Sequence, residues 1–245
     1  MYHFFVEPHQ IGAEEIRIEG ADVNHIRNVL RMKPGEEILI SSREGGDYFC
    51  LVEELKPEYV SAKILEEWEN KELPARIHLF QGLPKGDKME LIIQKAVELG
   101  AYRVVPVSMK RSVVKLDAKK ADAKRKRWNA VSESAAKQSK RSLIPEVAPL
   151  MTYKEAVKEA AGYDMVLLPY ESADGIRKTR ELLASVKPGT DIAVFIGPEG
   201  GFDPAEARAA VDAGLQSVSL GTRILRCETA PIAALAAVLY AGGNM

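Results

Sequence analysis

Cysteine and histidine are scarce in this chain, and their scarcity excludes several functions at once. Its 245 residues hold two cysteines, Cys50 and Cys227, and four histidines, His3, His9, His25 and His78. Neither set has metal-ligand spacing, so no metal site is expected. Two thiols so far apart are expected to stay reduced rather than to staple a small fold. Long apolar runs are also missing, and Met1-Tyr2-His3-Phe4-Phe5 lacks the basic flank and extended apolar stretch of a signal peptide. A cytoplasmic location without membrane contact is therefore expected.

Nucleotide fingerprints are absent as well. A phosphate-cradling loop needs lysine and a hydroxyl residue after its last glycine, but Gly201 is followed by Phe202 and Asp203. The order Gly197-Pro198-Glu199-Gly200-Gly201 does not spell G-x-G-x-x-G, which disfavours a dinucleotide-dependent oxidoreductase.

Net charge is small too, only −1, but its distribution is uneven. Lys110 to Arg141 holds twelve Lys or Arg against three Asp or Glu, a local +9 balanced by −10 elsewhere. Such a segment is either a solvated helix or an electrostatic footprint for nucleic acid. Hydrophobic residues at 46% supply enough apolar surface for one large or two small domains.

Organisation changes along the chain. Up to about residue 70 the pattern is short strands: Ile16–Ile18, Glu37–Ile40, Tyr48–Val52 and Tyr59–Ile64, with one short helix from an Asp22 N-cap through Leu30. Several short strands suggest a small barrel. Trp68 to Pro74, charged and closed by proline, has the look of a linker. Beyond it strands alternate with helices, which implies a parallel sheet covered on both faces. Strands are predicted at 76–81, 103–107, 165–168, 192–196 and 217–220. Helices are predicted at 88–99, 118–140, 153–161, 174–185, 204–213 and 230–241. The last is too short to span a membrane and suits a core or a dimer interface.

Ligands of open parallel sheets bind beyond the carboxyl ends of strands. Three such ends stand out: Leu168-Pro169-Tyr170-Glu171, Gly197 to Gly201, and Leu220 to Ala230. Glycines let a ligand touch main chain directly. Glu199 would repel phosphate, so the loop suits a neutral or cationic group, such as an adenosine or a sulfonium. A plain turn before a helix capped by Asp203, with Pro204 in its first turn, explains the glycines equally well.

"IGPEGGF" at 196–202, followed by "LGTRILRCETAPIAAL" at 220–235, resembles the SPOUT (α/β-knot) methyltransferases. More closely it resembles the RsmE family, the 16S ribosomal RNA uracil-N3 methyltransferases. "HIRNVLR" at 25–31, "KMELIIQKAVELG" at 88–100, "RW" at 127–128 and "AAKQSKR" at 135–141 follow the same pattern in order, so the resemblance spans essentially the whole chain. It implies a PUA-like β-barrel over 1–70 that binds RNA, and a knotted parallel-sheet methyltransferase domain over 74–245. It also implies S-adenosylmethionine as methyl donor, small-subunit ribosomal RNA or the assembled 30S subunit as partner, and a homodimer with active sites at its interface. The residues implied around the cofactor are Leu168, Gly197, Gly200, Gly201, Leu220, Leu225, Arg226, Thr229 and Ala230. "LPYESA" at 168–173 matches less closely, and Tyr170 and Glu171 are left out of that set.

Methylating a uracil N3 requires removal of its proton, by a general base or with cations stabilising the anion at O2 and O4. Glu199 and Glu228 are the available carboxylates and Arg226 the available cation; all three are catalytic candidates. Structural readings compete for two of them: Glu199 as a brace of the loop, and Glu228 as an acid at a helix N-terminus. Candidate RNA contacts are Arg27, Arg31, Lys85, Lys88, Arg111, Arg127, Lys137 and Arg141. Two alternatives stay open: a related SPOUT enzyme acting on another base or a ribose 2′-hydroxyl, and a noncatalytic RNA-binding assembly factor.

Overall fold

The computed structural model describes residues 1–43, 45–70, 72–170 and 175–242, and the chain divides into two compact units. The first unit comprises Met1–Glu72 and Ala136–Ile144. Its strands are β1 (Tyr2–Val6), β2 (Glu15–Glu19), β3 (Glu37–Ser42), β4 (Asp47–Leu55) and β5 (Tyr59–Trp68). They form one mixed sheet in the order β1-β3-β4-β5-β2, with β1 parallel to β3 and the other pairs antiparallel. Strand β2 shows why: Ile16 and Ile18 are buried while Glu15, Arg17 and Glu19 face water, the period-two pattern of a half-buried strand. All five strands feed one core, with Phe4, Ile18, Ile40, Val52 and Val60 among its members.

The sequence pattern misplaces three features of this unit. Strand β1 is not expected from the sequence, because its apolar run, Phe4 to Val6, is only three residues long and does not alternate. The short helix starts two residues earlier than an Asp22 N-cap implies, at Ala21, with Gly20 (φ 75°) at its N-cap. This helix α1 (Ala21–Asn24) then continues as a π-helical turn over His25–Val29. Trp68 belongs to β5 rather than a linker, its ring 5.4 Å from that of Phe49.

Two buried polar groups fix this unit. Arg141 is only 8% exposed, and its Nε and Nη2 donate to the Glu72 carboxylate at 2.7 and 2.5 Å. The Ser142 N–H donates to the same carboxylate at 2.8 Å. His3, Ser41 and Asp47 form a second cluster, with His3 Nε2 2.7 Å from Ser41 Oγ and the Ser41 hydroxyl donating to Asp47. Burial lowers the His3 pKa to about 4, and Lys137 and Lys140 push it the same way. The imidazole is therefore neutral in the folded protein at pH 7.

The second unit comprises Leu73–Ala135 and Pro145–Met245. Along the chain run β6 (Arg76–Gly82), α2 (Lys88–Glu98), β7 (Ala101–Ser108), α3 (Ala118–Ser139), β8 (Glu146–Val147) and β9 (Met151–Thr152). Then follow α4 (Tyr153–Ala160), β10 (Met165–Pro169), α5 (Ile176–Leu183), β11 (Asp191–Ile196), α6 (Pro204–Asp212), β12 (Gln216–Val218) and α7 (Thr229–Ala241). Every pairing in this sheet is parallel, in the order β12-β10-β11-β6-β7-β8, with β9 also on β7. The central strands β6 and β11 are buried almost throughout, as strands covered on both faces must be. Phe80 and Phe195, paired across them, stack at 4.6 Å and 5°.

Capping explains the helix starts. Thr152 with Glu155 and Asp203 with Glu206 each form a reciprocal capping box, and Pro204 occupies the first turn of α6. In α2, Met89, Ile92, Ile93, Ala96 and Val97 form the buried stripe, and Gly100 (φ 79°) follows its C-terminus. No helix among the described residues is long and apolar enough to cross a membrane.

Removing one partner of a buried, hydrogen-bonded ion pair strands the other. Arg141→Ala should lower unfolding free energy by about 3–5 kcal/mol, read from the urea midpoint at pH 7. For His3 the folded pKa lies below the unfolded one, so the unfolded chain binds the extra proton. Stability should then fall as pH drops from about 6.5 towards about 4, and His3→Gln should flatten that slope in urea titrations.

Candidate active site

Because the strands are parallel, the segments following β6, β7, β10, β11 and β12 leave the same edge of the sheet. Four of these segments are tied together by specific contacts. Glycine makes the first tie. A Cβ on Gly82, at the end of β6, would lie 2.7 Å from Pro198 Cδ, 2.8 Å from Pro198 N and 2.9 Å from Met109 Sδ. Only a bare α-carbon lets the segments after β6, β7 and β11 approach so closely. Within the loop after β11, Gly201 (φ 65°) donates its N–H to Pro198 O at 2.8 Å. A Cβ on Gly197 would lie 3.0 Å from the Gly201 carbonyl carbon. Beyond Gly201, by contrast, a Cβ would meet open space.

Charge makes the second tie. Lys88, the first residue of α2, places its Nζ 3.3 Å from Glu199 Oε1 and 3.1 Å from Glu228 Oε2. Glu199 Oε1 also accepts the Lys85 N–H at 3.0 Å. The Cys227 thiol donates to Glu228 Oε2 at 3.1 Å, and Lys88 Nζ lies 3.9 Å from that sulfur. Partial burial alone would raise the Glu199 pKa, but the amide donors and the Lys88 ammonium outweigh it and hold the carboxyl below its ordinary range. For Glu228, the Cys227 thiol, its own amide and Lys88 do the same. Burial pushes the Cys227 thiol up to about 12, helped by the Glu228 carboxylate, so it stays a protonated donor.

The loop from Ser219 to Glu228 supplies the remaining groups. The Arg226 carbonyl accepts the N–H of Thr229 and of Ala230, both at 2.9 Å, and so starts α7. Its guanidinium is exposed and, among the described residues, pairs with no carboxylate. Leu168 is fully buried in β10, whereas Leu220 and Leu225 are half-buried. Tyr170 donates its N–H to Val218 O at 3.0 Å, and Glu171 lies outside the described residues.

The expected RNA contacts part company. Lys85 is exposed, but Lys88 is drawn inward to the carboxylates. Arg111 donates from Nη1 to Gly200 O at 2.9 Å, bracing the glycine loop, and Arg127 donates to Glu90 at 2.8 Å. Lys137 bonds both oxygens of Asp22 at 3.1 Å, and Arg141 is committed to Glu72. Arg31, at φ 53°, lies past the helical turn that holds half-buried Arg27, so helical spacing does not align the two. Exposed cations outside that set include Lys115, Lys119 and Lys126. Sequence reasoning missed the roles of Gly82 and of Lys88. A glycine closing an apolar strand was the available signal for the first; nothing in local sequence marked the second.

This edge of the sheet therefore offers open main chain at Gly201, two ionised carboxylates and an arginine that pairs with no carboxylate among the described residues. That donor set fits an adenosine with a cationic centre. Among the described residues no group of three or more His, Cys, Asp or Glu is placed to hold a metal.

Comparison with known proteins defines the class. Residues 71–239 match the RNA methyltransferase domain family, and residues 18–65 match the RNA methyltransferase PUA domain. Ribosomal RNA small subunit methyltransferase E of Bacillus subtilis is 38% identical over 98% of this chain and 96% of its own. The Neisseria gonorrhoeae protein of the same name, crystallised with S-adenosyl methionine, is 31% identical, with a TM-score of 0.83 over 98% of this chain and 97% of its own. A Legionella pneumophila structure with bound SAM is 30% identical, with a TM-score of 0.85 and the same coverage. The chain belongs to the ribosomal RNA small subunit methyltransferase E family. The expected fold class, a SPOUT α/β domain preceded by a PUA-like domain, stands with it.

Gly82→Ala should test the close approach. It should destabilise the second unit by about 1–3 kcal/mol through overpacking, and calorimetry should show weakened S-adenosylmethionine binding as the loop after β11 is displaced.

Proposed function

We propose that this protein transfers the methyl group of S-adenosylmethionine to N3 of a uridine in small-subunit ribosomal RNA. The observation that carries this reading is the convergence of the glycine loop, the paired carboxylates and Arg226, which pairs with no carboxylate among the described residues, at one edge of a parallel sheet, in a chain of this family. When bound, S-adenosylmethionine supplies an electrophilic methyl on a sulfonium. Gly197, Gly200 and Gly201 would take its adenosyl part on their main chain, with Leu220, Leu225, Thr229 and Ala230 completing the pocket and buried Leu168 packed behind it. Glu199 and Glu228 add negative charge suited to a cation.

Arg226 orients the uracil and stabilises the charge that develops at O2 or O4 as N3 loses its proton. That proton passes to a carboxylate of the Glu199–Glu228 pair. Both are ionised at neutral pH and so are in the accepting form. Positioning attacking nitrogen and methyl in line supplies much of the remaining acceleration.

The domain division belongs to the same proposal: residues 1–70 bind RNA and 74–245 form the knotted methyltransferase domain. Arg27, Arg31 and Lys85 are its exposed or half-exposed RNA contacts, joined by exposed Lys119 and Lys126 of α3. Phosphate contacts of this kind give affinity without sequence information. The assembled 30S subunit and a cytoplasmic location fit this substrate. Helix α7 supports a homodimer, being apolar on all sides with Tyr240 77% exposed beside half-buried Ile232 and Ala236.

Arg226→Ala should cut transfer by about a hundredfold or more while leaving cofactor affinity nearly unchanged. Nucleoside mass spectrometry of treated 16S RNA and 30S subunits, paired with calorimetry, checks both. Methyl on a ribose instead of N3 would overturn the substrate assignment. Because both carboxyls are held below their ordinary range, the single-turnover rate should lose no activity to carboxyl protonation until pH falls below that range. An acid limb near neutral pH would remove the pair from proton transfer.

A further inference from the structure

Lys88 opens α2, yet its ammonium is engaged by two carboxylates rather than left free as a phosphate contact would be. It lies within 3.3 Å of carboxylates from two different strand-end loops, and its side chain is 33% exposed. The three residues involved sit far apart in sequence and on three separate segments. Lys88 opens α2, Glu199 sits in the glycine loop after β11, and Glu228 directly precedes α7. Lys85, just upstream of Lys88, donates its N–H to the same Glu199 oxygen.

We propose that Lys88 is a positioning residue that clamps the glycine loop to the Arg226-bearing loop, so that the two walls of the methyl-donor pocket are held at a fixed separation by one ammonium. This inference rests on the function proposed above for what the pocket holds, but the clamp itself is a property of the free protein.

Three physical points support it. First, the glycine loop has few other anchors. Its main chain is held by the Gly201-to-Pro198 turn and by the Arg111 bond to Gly200 O, neither of which reaches the loop before α7. Second, two carboxylates close to one nitrogen repel each other unless a cation sits between them. The charged and titratable groups facing this point are Glu199, Glu228, Cys227 and Lys88, and the Cys227 thiol, being protonated, adds no charge. Third, the trio keeps a net charge of one negative unit. A negative pocket wall persists for a cationic donor, while the mutual repulsion of its two carboxylates is offset.

Removing the ammonium therefore has a pH signature that lost packing does not have. In Lys88→Met the two carboxylates form a coupled pair whose last proton is lost at higher pH than from either group alone. Protonation of one member on acidification relieves the repulsion; near pH 8 both are ionised and push the loops apart. The acidic form is then the organised one in the variant, whereas wild type is organised across the whole range.

The test has two arms. Hydrogen exchange on the ligand-free protein reads the clamp: amides of 197–201 and 226–230 should exchange faster in Lys88→Met at pH 8 than in wild type. Lys88→Arg should restore most of the protection, and Lys88→Met/Glu228→Gln, which relieves the repulsion, should restore part of it. Calorimetry with S-adenosylmethionine reads the consequence. Affinity should fall by about ten- to a hundredfold in Lys88→Met at pH 8, recover in part as pH is lowered into the carboxyl titration range, and return largely in Lys88→Arg. At saturating donor the single-turnover rate should fall less than affinity does.

Unchanged exchange in Lys88→Met would overturn the clamp, as would wild-type affinity at pH 8. A pH-independent loss unrelieved by Lys88→Arg or by the double variant would also overturn it. So would a lowered salt slope of RNA binding with unaltered exchange, since that makes Lys88 a phosphate contact. If Lys88→Met does not fold, Lys88→Arg and the double variant carry the same comparison. Should wild type fail to bind S-adenosylmethionine, the functional reading falls, and the exchange arm still decides the clamp.

Discussion

The register between β6 and β11 is the constraint on which the site depends. Phe80 lies against Phe195 and Gln81 opposite Ile196, so both strands reach the carboxyl edge together. The next residues, Gly82 and Gly197 with Pro198, must then share one small volume. Glycine at 82 is what makes that sharing sterically allowed. A slip of one residue would exchange the two faces of each strand and bring a side chain where the loop now crosses.

Electrostatics is layered on that steric base. The fold brings two acids and one lysine from distant segments to a point, and each acid is stabilised by a further neutral donor, the Lys85 amide for Glu199 and the Cys227 thiol for Glu228. The same economy governs the basic segment. Of its cations, Arg111, Arg125, Arg127, Lys137 and Arg141 are used for internal bonds. An excess of +9 in sequence is therefore a smaller excess at the surface, and what remains unpaired is concentrated in lysines. That matches their chemistry: arginine's planar fork is suited to fixed, bidentate partners, and lysine remains well hydrated.

Most of the fold was legible before any coordinates. The apolar run Ala193 to Ile196 marked β11, the i, i+3, i+4 stripe marked α2, and Asp203-Pro204 marked the start of α6, because each rests on bonds or burial within a few residues. The errors cluster where that locality fails. Strand β1 draws its identity from pairing with β3, some 36 residues on. The π-turn after α1 and the residence of Trp68 in β5 likewise come from packing within the first unit.

The site divides in the same way. Sequence alone determined that a glycine-rich turn with an acid at its centre follows a buried strand, and that Arg226 and Glu228 precede an apolar helix. It also carried family membership through an ordered set of motifs. Tertiary structure decided which charges are spent on one another, that Lys88 bridges two carboxylates while Arg226 pairs with none among the described residues, and that Gly82 must lack a side chain. The reason is physical: backbone preference and periodicity are encoded by neighbours in the chain, whereas an ion pair or a steric contact depends on atoms that only folding brings within a few ångströms.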